Sequence, residues 1–422
     1  MKFFKKIILF LLKTEARLVI KKHKPLVIGI TGSVGKTSTK DAIAALLGDY
    51  FDIRKSPKSY NSEIGIPLTV LNVPNAWHSS FGWVQNVFWG AWRVVSRSPY
   101  PEMLVLEMGV DRPGDFDWLL SWISPDIAVV TAIGEVPVHV EFFSGPDALA
   151  EEKAKLVAAI RKDGHAILNA DDPKVLAMKK YTEGKIITYG TSKDAMVRAS
   201  GYRLMIKNKK PCGISFKIEY EGKSTAIKAE SVLGRHAMTA MLAASAVALV
   251  RGLSLMEIAE GLSWYRQPPG RLNLIEGRQK TTLIDDSYNS SPLALSVALS
   301  VLSEIPGGRK IAVIGDMLEL GKFTVDEHKK AGALAAGAAD VVIAVGMRAK
   351  FMESSNAKYY KWFQTSSEAA DFLQGFITEG DIILIKGSQG ARMEKIVKAL
   401  MLQPERAGEL LVRQEQYWLE HK

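Results

Sequence analysis

The chain has a single cysteine, Cys212, in 422 residues. One thiol excludes an internal disulfide framework and a thiolate metal site, and it suits a reducing compartment such as the cytoplasm. No tract of about 18 or more uncharged apolar residues is present, so no membrane-spanning helix is indicated. Internal repeats and low-complexity tracts are lacking too. What is there is length enough for two or three domains of roughly 100–200 residues. The formal net charge is +10, but outside the N-terminus the bases are scattered. That distribution points to phosphorylated small-molecule substrates or an anionic membrane surface rather than to nucleic acid.

The opening stretch, "MKFFKKIILFLLKTEARLVIKKHKP", carries a short apolar run, Ile7–Leu12, flanked by bases and followed by no small-residue cleavage pattern. This argues against a signal peptide. Two readings fit a basic apolar helix over residues 1–24. It packs on the following domain, the favoured reading, or it lies on a membrane.

From Pro25 the pattern becomes strand, then helix, repeatedly. "LVIGI" reads as a buried strand and "GKTSTKDAIAALLGDY" as a helix. "MLVLEMG", "DIAVVTAIG" and "HAILNADD" are further β-branched apolar runs, with helix-like segments such as "DALAEEKAKLVAAI" between them. The alternation predicts an α/β fold: a doubly wound, mostly parallel sheet over residues 25–270, with chemistry at the carboxyl ends of its strands. "CGISFKIEYEGK" alternates and predicts an antiparallel excursion. The prolines and glycine of "YRQPPGRLNLIEG" mark a domain boundary near Pro268–Arg271. Beyond it "TTLIDDSYN", "KIAVIGDM", "DVVIAVG" and "DIILIKGS" predict a smaller, Rossmann-like α/β domain of about four strands over residues 271–422.

"GITGSVGKTSTKDA" carries the first chemistry. It lacks the first glycine of the general phosphate-loop pattern, since position 30 is Ile30. Its strand-loop-helix context is nevertheless the one a phosphate cradle needs. Gly32 and Gly35 let backbone amides turn inward toward phosphate oxygens, and the helix N-terminus adds its positive end. Thr31, Gly32, Ser33, Val34, Gly35, Lys36, Thr37 and Ser38 are the candidate nucleotide-binding set. Lys36 would reach the outer phosphates, and the Thr37 hydroxyl would join a Mg²⁺ shell. Glu107 ends a run apolar enough to leave its carboxylate at the sheet edge opposite this loop. It is a candidate metal ligand or an ordinary strand-terminal acid. His139 follows the next strand, in "VPVHVEFF", as a candidate ligand or a structural histidine. Lys153 and Lys155 sit in a helix, and spacing alone singles out neither.

"TGSVGKTSTK", "YNSEIGIPLTVL", "LEMGVDRPGD", "ILNADDP", "PPGRL", "DDSYNSSP", "GDMLELG" and "IKGSQGARME" together resemble, in order, the Mur ligases, over nearly the whole chain from Pro25. The compressed T-G-x-x-G-K-T loop is shared across that family, which accounts for Ile30. "GDMLELG" and "DDSYN" lean toward the family member that adds D-alanyl-D-alanine to a UDP-N-acetylmuramoyl-tripeptide in peptidoglycan precursor synthesis. The resemblance implies an ATP-dependent amide ligase working through an acyl phosphate. It further implies Mg²⁺ held by Thr37 and Glu107, a second ion bearing on Glu107 and His139, and a carbamylated lysine matching Lys153, with Lys155 as the rival. Lys36, Glu107, His139 and Lys153 are thus the implied catalytic group. His236, Arg271, Asp286, Tyr288 and Asn289 are implied at the nucleotide or hinge, and Asn61, Lys386 and Ser388 at the substrates.

Three features depart from the family pattern. Ala237 and Ala240 replace asparagines expected near the adenine or ribose. The domain that grips the UDP-sugar in the family has no counterpart before the phosphate loop, where only the basic apolar helix stands. A different mode of holding the donor, a partner protein supplying that domain, or a donor that is not UDP-linked would each answer this. The segment "WHSSFGWVQNVFWGAWRVVSRSPYP", with Trp77, Trp83, Trp89 and Trp92, has no place in the family pattern. It reads as a core or dimer helix, or as an interfacial one that would put a cytoplasmic enzyme in peripheral contact with the membrane. Two rivals accompany the ligase reading. One is a folylpolyglutamate-, polyglutamate- or cyanophycin-type ligase with an L-amino-acid acceptor. The other is a non-catalytic nucleotide-binding partner subunit.

Overall fold

The computed structural model describes residues 2–57, 60–77, 79–208, 210–354 and 356–420. Its first sheet is built from β1 (Leu26–Thr31), β2 (Ile53–Lys55), β3 (Met103–Glu107), β4 (Ile127–Val130), β5 (His165–Asn169) and β6 (Lys185–Gly190), all parallel. The strands β7 (Val197–Lys207), β8 (Lys210–Tyr220) and β9 (Lys223–Glu230) extend it, the last two antiparallel to their neighbours. The order is β2-β3-β1-β4-β5-β6-β7-β8-β9. Because β1 lies between β3 and β4, the chain runs outward on one side of β1 and then crosses to the other. The crevice left at the carboxyl end of β1 is where the glycine-rich loop falls.

The inner strands β3 and β4 are buried along their whole length because helices cover both faces. On one face α2 (Lys36–Leu47) packs Ile43, Leu46 and Leu47 with the helix Arg235–Val250. On the other lie α1 (Lys2–His23), α3 (Gly65–Leu71), α4 (Ser80–Val95), α5 (Asp115–Leu120) and α6 (Pro146–Ala158). Ile8, Leu12, Ala16 and Val19 make one buried stripe at helical spacing along α1, facing α3 and α4. The Trp-rich segment is α4, held by a Ser79 cap that accepts from the Gly82 amide.

The second sheet has the order β10-β11-β15-β12-β13-β14. Its strands are β10 (Asn273–Glu276), β11 (Thr282–Asp286), β12 (Lys310–Gly315), β13 (Val341–Val345), β14 (Tyr359–Phe363) and β15 (Ile382–Lys386). Six strands replace the four or so expected. The additions are the two edges: β10 is only four residues long, and β14 is half exposed, so neither shows a long apolar run. The two sheets divide in the segment 264–272, where Gly270 takes φ 71, a value that favours glycine.

Candidate active site

The loop after β1 closes on the β4 end. The amides of Ser33 and Val34 both donate to the Ala132 carbonyl, and the Thr131 hydroxyl donates to the Val34 carbonyl. Gly32, at φ 140, could carry no side chain, since a Cβ there would stand 2.0 Å from Thr131 Oγ1. Gly35, at φ 90, then turns the chain into α2. Lys36 folds back to donate to the Gly32 carbonyl at 2.8 Å. Burial pulls its pKa down, with Glu107 opposing. Thr37 donates to Glu107 Oε2 at 3.0 Å, and Lys40 Nζ lies 3.7 Å from the same oxygen.

From the second sheet, Arg271 crosses the cleft. Its Nη2 is 3.4 Å from the Thr37 hydroxyl, and its guanidinium lies 4.2 Å from the centre of the Tyr288 ring. His139, at φ 66, sits between the two halves: Nδ1 is 2.7 Å from Glu319 and Nε2 is 3.4 Å from Asp111. Ser33–Thr37, Asn61, Glu107, Asp111, His139, Arg271, Tyr288, Asn289 and Glu319 thereby line one cavity of about 270 Å³. Within its walls Ser33 Oγ and Arg271 Nε are buried with no partner among the described residues, as expected of groups awaiting a polar ligand. A second cavity, of about 330 Å³, shares Asn61 and Asp111 with the first and adds Lys5, Arg112 and Trp118.

Other residues singled out from the sequence lie behind these walls. Thr31, Gly32 and Ser38 support the loop without lining the cavity. Lys386, expected to face a substrate, is 1% exposed and donates to Asp286 Oδ2 at 2.6 Å and to the Asn289 carbonyl at 2.9 Å. Asp286 carries that pair and also accepts from the Leu272 backbone beside the Gly270 turn, which sets it on the hinge side of the expectation. The Ser388 hydroxyl accepts from the Leu318 amide and so ties the "GDMLELG" loop to the sheet. His236 is buried, its Nε2 3.1 Å from Gln267, and burial with the nearby Lys386 and Arg271 charges holds its pKa down at about 3. Ala237 and Ala240 are core residues of the helix Arg235–Val250.

The two helical lysines separate clearly. Lys153 is 2% exposed, makes no ion pair among the described residues, and has its pKa lowered to about 7 by burial and by the Lys36 charge. Lys155 is paired with Asp117 at 2.7 Å and Glu152 at 2.8 Å, partners that raise its pKa. Among the described residues no cluster of three or more His, Cys, Asp or Glu side chains is arranged for a metal ion. The Thr37 hydroxyl and Glu107 carboxylate are hard oxygen donors of the kind Mg²⁺ prefers when phosphate completes its shell.

Sequence reasoning passed over Lys40, Asp111, Glu319 and Arg413. Lys40 had a signal: it shares a helical stripe with the buried Ile43 and Leu47, an unusual place for an ammonium. Arg413 donates to the Ser287 and Tyr288 carbonyls and pairs with Glu394, clamping the "DDSYN" turn from the far end of the chain.

A phosphate loop at the switch point of a doubly wound sheet, with a second α/β unit delivering an arginine to it, defines a two-domain nucleotide-dependent enzyme. The Mur ligase middle-domain model matches residues 30–81 and 95–248, and the Mur ligase glutamate-ligase-domain model matches residues 270–389. A Bacillus subtilis protein named UDP-N-acetylmuramoyl-tripeptide–D-alanyl-D-alanine ligase is 32% identical over 385 residues, covering 90% of this chain and 76% of its own. The Escherichia coli protein of that name is 28% identical, covering 89% and 76%. The crystal structure of MurF from Acinetobacter baumannii superposes with TM-score 0.77 at 26% identity, covering 92% of this chain and 79% of that one. The chain belongs to the Mur ligase family.

Proposed function

We propose that this protein is an ATP- and Mg²⁺-dependent amide ligase of peptidoglycan precursor synthesis. It joins the amine of D-alanyl-D-alanine to the terminal carboxylate of a UDP-N-acetylmuramoyl-tripeptide-like donor, with the domain boundary at 270/271. The relatives' names support these substrates. The observation that carries the reading is the Thr37–Glu107 pair with Arg271 reaching it from the other domain. On this reading, donors from both domains would meet phosphate in one cavity.

In the first step a donor carboxylate oxygen bonds to the γ-phosphorus as the bond to the β–γ bridging oxygen breaks, giving acyl phosphate and ADP. Loop amides, Lys36 and Arg271 hold the phosphoryl oxygens on which charge gathers. In the second, the amine attacks the acyl carbon, the tetrahedral adduct expels phosphate, and the amine nitrogen loses a proton. Mg²⁺, when bound, supplies charge neutralisation to the phosphoryl oxygens. Thr37 and Glu107 would hold it, with His139 bearing on a second ion once released from Glu319. Lys153 is the lysine suited to carbamylation: a neutral amine is what adds to CO₂, and its lowered pKa leaves a substantial neutral fraction near neutrality. The product would be a carboxylate facing the Lys36 charge. The body of the donor is read into the adjoining cavity beside Lys5, Arg112 and Trp118.

The test is phosphate release from ATP with UDP-N-acetylmuramoyl-tripeptide and a panel of acceptors. Release that requires D-alanyl-D-alanine supports the reading. Release driven by L-glutamate instead, or ATP binding with no turnover on any acceptor, overturns it.

A further inference from the structure

We propose that α1 and α4 form a cationic, aromatic face that docks this protein on an anionic lipid bilayer. Helix α4 buries only Asn86 and Gly90. Its opposite side presents Phe81, Val84, Phe88, Trp92 and Val95, spaced three or four residues apart and so aligned in one stripe. Phe81 is 79% exposed, Phe88 68% and Val95 71%, a degree of apolar exposure unusual for a solvated helix. The neighbouring α1 adds exposed Ile7, Phe10 and Leu18 outside its buried stripe. The two helices are joined: Glu15 of α1 lies against Gly90 of α4, and Lys22 donates to the Val94 carbonyl at 2.8 Å.

Charge says what covers this face. No acidic residue occurs between Glu63 and Glu102, and the only acid of α1, Glu15, is turned inward and buried. The bases Lys6, Arg17, Lys21, Arg93 and Arg97 make no ion pair among the described residues. Trp89, Trp92 and Arg93 also wall a surface cavity of about 420 Å³, where an aromatic edge and a guanidinium suit a lipid headgroup phosphate. A second copy of the chain fits less well, because a two-fold contact would set this all-basic rim against itself. No described helix is long and apolar enough to cross a membrane, so the contact is in-plane. The matched family segments leave out residues 1–29 and 82–94, which contain α1 and nearly all of α4. The face shares no residue with the nucleotide cavity.

Co-sedimentation of the full chain with vesicles tests this, comparing phosphatidylglycerol–phosphatidylcholine mixtures with phosphatidylcholine alone. Binding to the anionic vesicles should be at least about ten-fold tighter and should weaken with salt. Arg93→Gln and Arg97→Gln should each cost about five-fold. Phe88→Ser should cost about ten-fold or more. All three lie outside the cavity and should leave phosphate release in solution unchanged. Equal binding to both vesicle types, or to neither, overturns the proposal. So does a wild-type protein that ignores vesicles but forms a dimer that Phe88→Asp splits, which would give the face to a second copy.

Discussion

Lys153 in the first domain and Lys386 in the second are both almost wholly buried, yet among the described residues only Lys386 is ion-paired with a carboxylate. Burial lowers the pKa of each, and at Lys386 the 2.6 Å contact with Asp286 opposes that pull. Lys153 has the like charge of Lys36 nearby, which lowers its pKa further, and the Asp111, Glu152 and Asp115 carboxylates oppose that pull without pairing to it among the described residues. A buried cation held by its own acid is a structural joint; Lys386 secures the Asp286 turn and the Asn289 carbonyl that shape the cavity wall. A buried amine left without one is costly to keep charged and is poised for chemistry or for a ligand. The second domain thus brings finished scaffolding to the cleft.

Removing each lysine should expose this difference. Lys386→Ala strands Asp286 in the interior and should cost about 3–5 kcal/mol of stability. Differential scanning calorimetry should show a fall of about 10 °C in the second domain's transition, and added carboxylic acids should restore nothing. Lys153→Ala should leave that transition in place while lowering kcat about 100-fold or more, and formate or acetate should recover part of it. If the two variants behave alike, the contrast fails. Arg271→Ala addresses the one cation the second domain does aim into the cavity, and it should lower kcat about 100-fold with the melting transition kept.

The smallest effect concerns Glu15, a buried acid whose Oε2 has no hydrogen-bond partner among the described residues and whose pKa burial raises from 4.5 to about 7. The folded state holds this proton more tightly than the unfolded one. Its contribution is therefore fully present below pH 4.5 and is lost as pH rises through about 7. Glu15→Gln should flatten that dependence and raise Tm by about 2–4 °C above neutrality, as read by thermal melts across pH.

Much of the first domain was legible because parallel strands leave long apolar runs and α2 opens on its glycine loop. The edges β10 and β14 were not, since a short or half-exposed strand carries no such run. At the site, the phosphate loop stood out from its own motif, Glu107 and His139 were each one of two readings, and Arg271 came only from the family resemblance. Motifs identify residues without saying which way they face, so the inward turn of Asp286, Lys386 and His236 went unseen. Glu319 and Arg413 act through contacts between distant stretches of chain, and no local pattern announces them.

Arg271 and Glu319 both reach the first domain from beyond the Gly270 turn, one to Thr37 and one to His139. Parting the domains would withdraw both at once. A nucleotide held on the open molecule would then meet the loop amides and Lys36 without Arg271. On the proposed mechanism, water could enter that open cleft, but the full apparatus for cleaving ATP could not assemble there. Idle hydrolysis would thereby be kept apart from ligation by the architecture of the hinge.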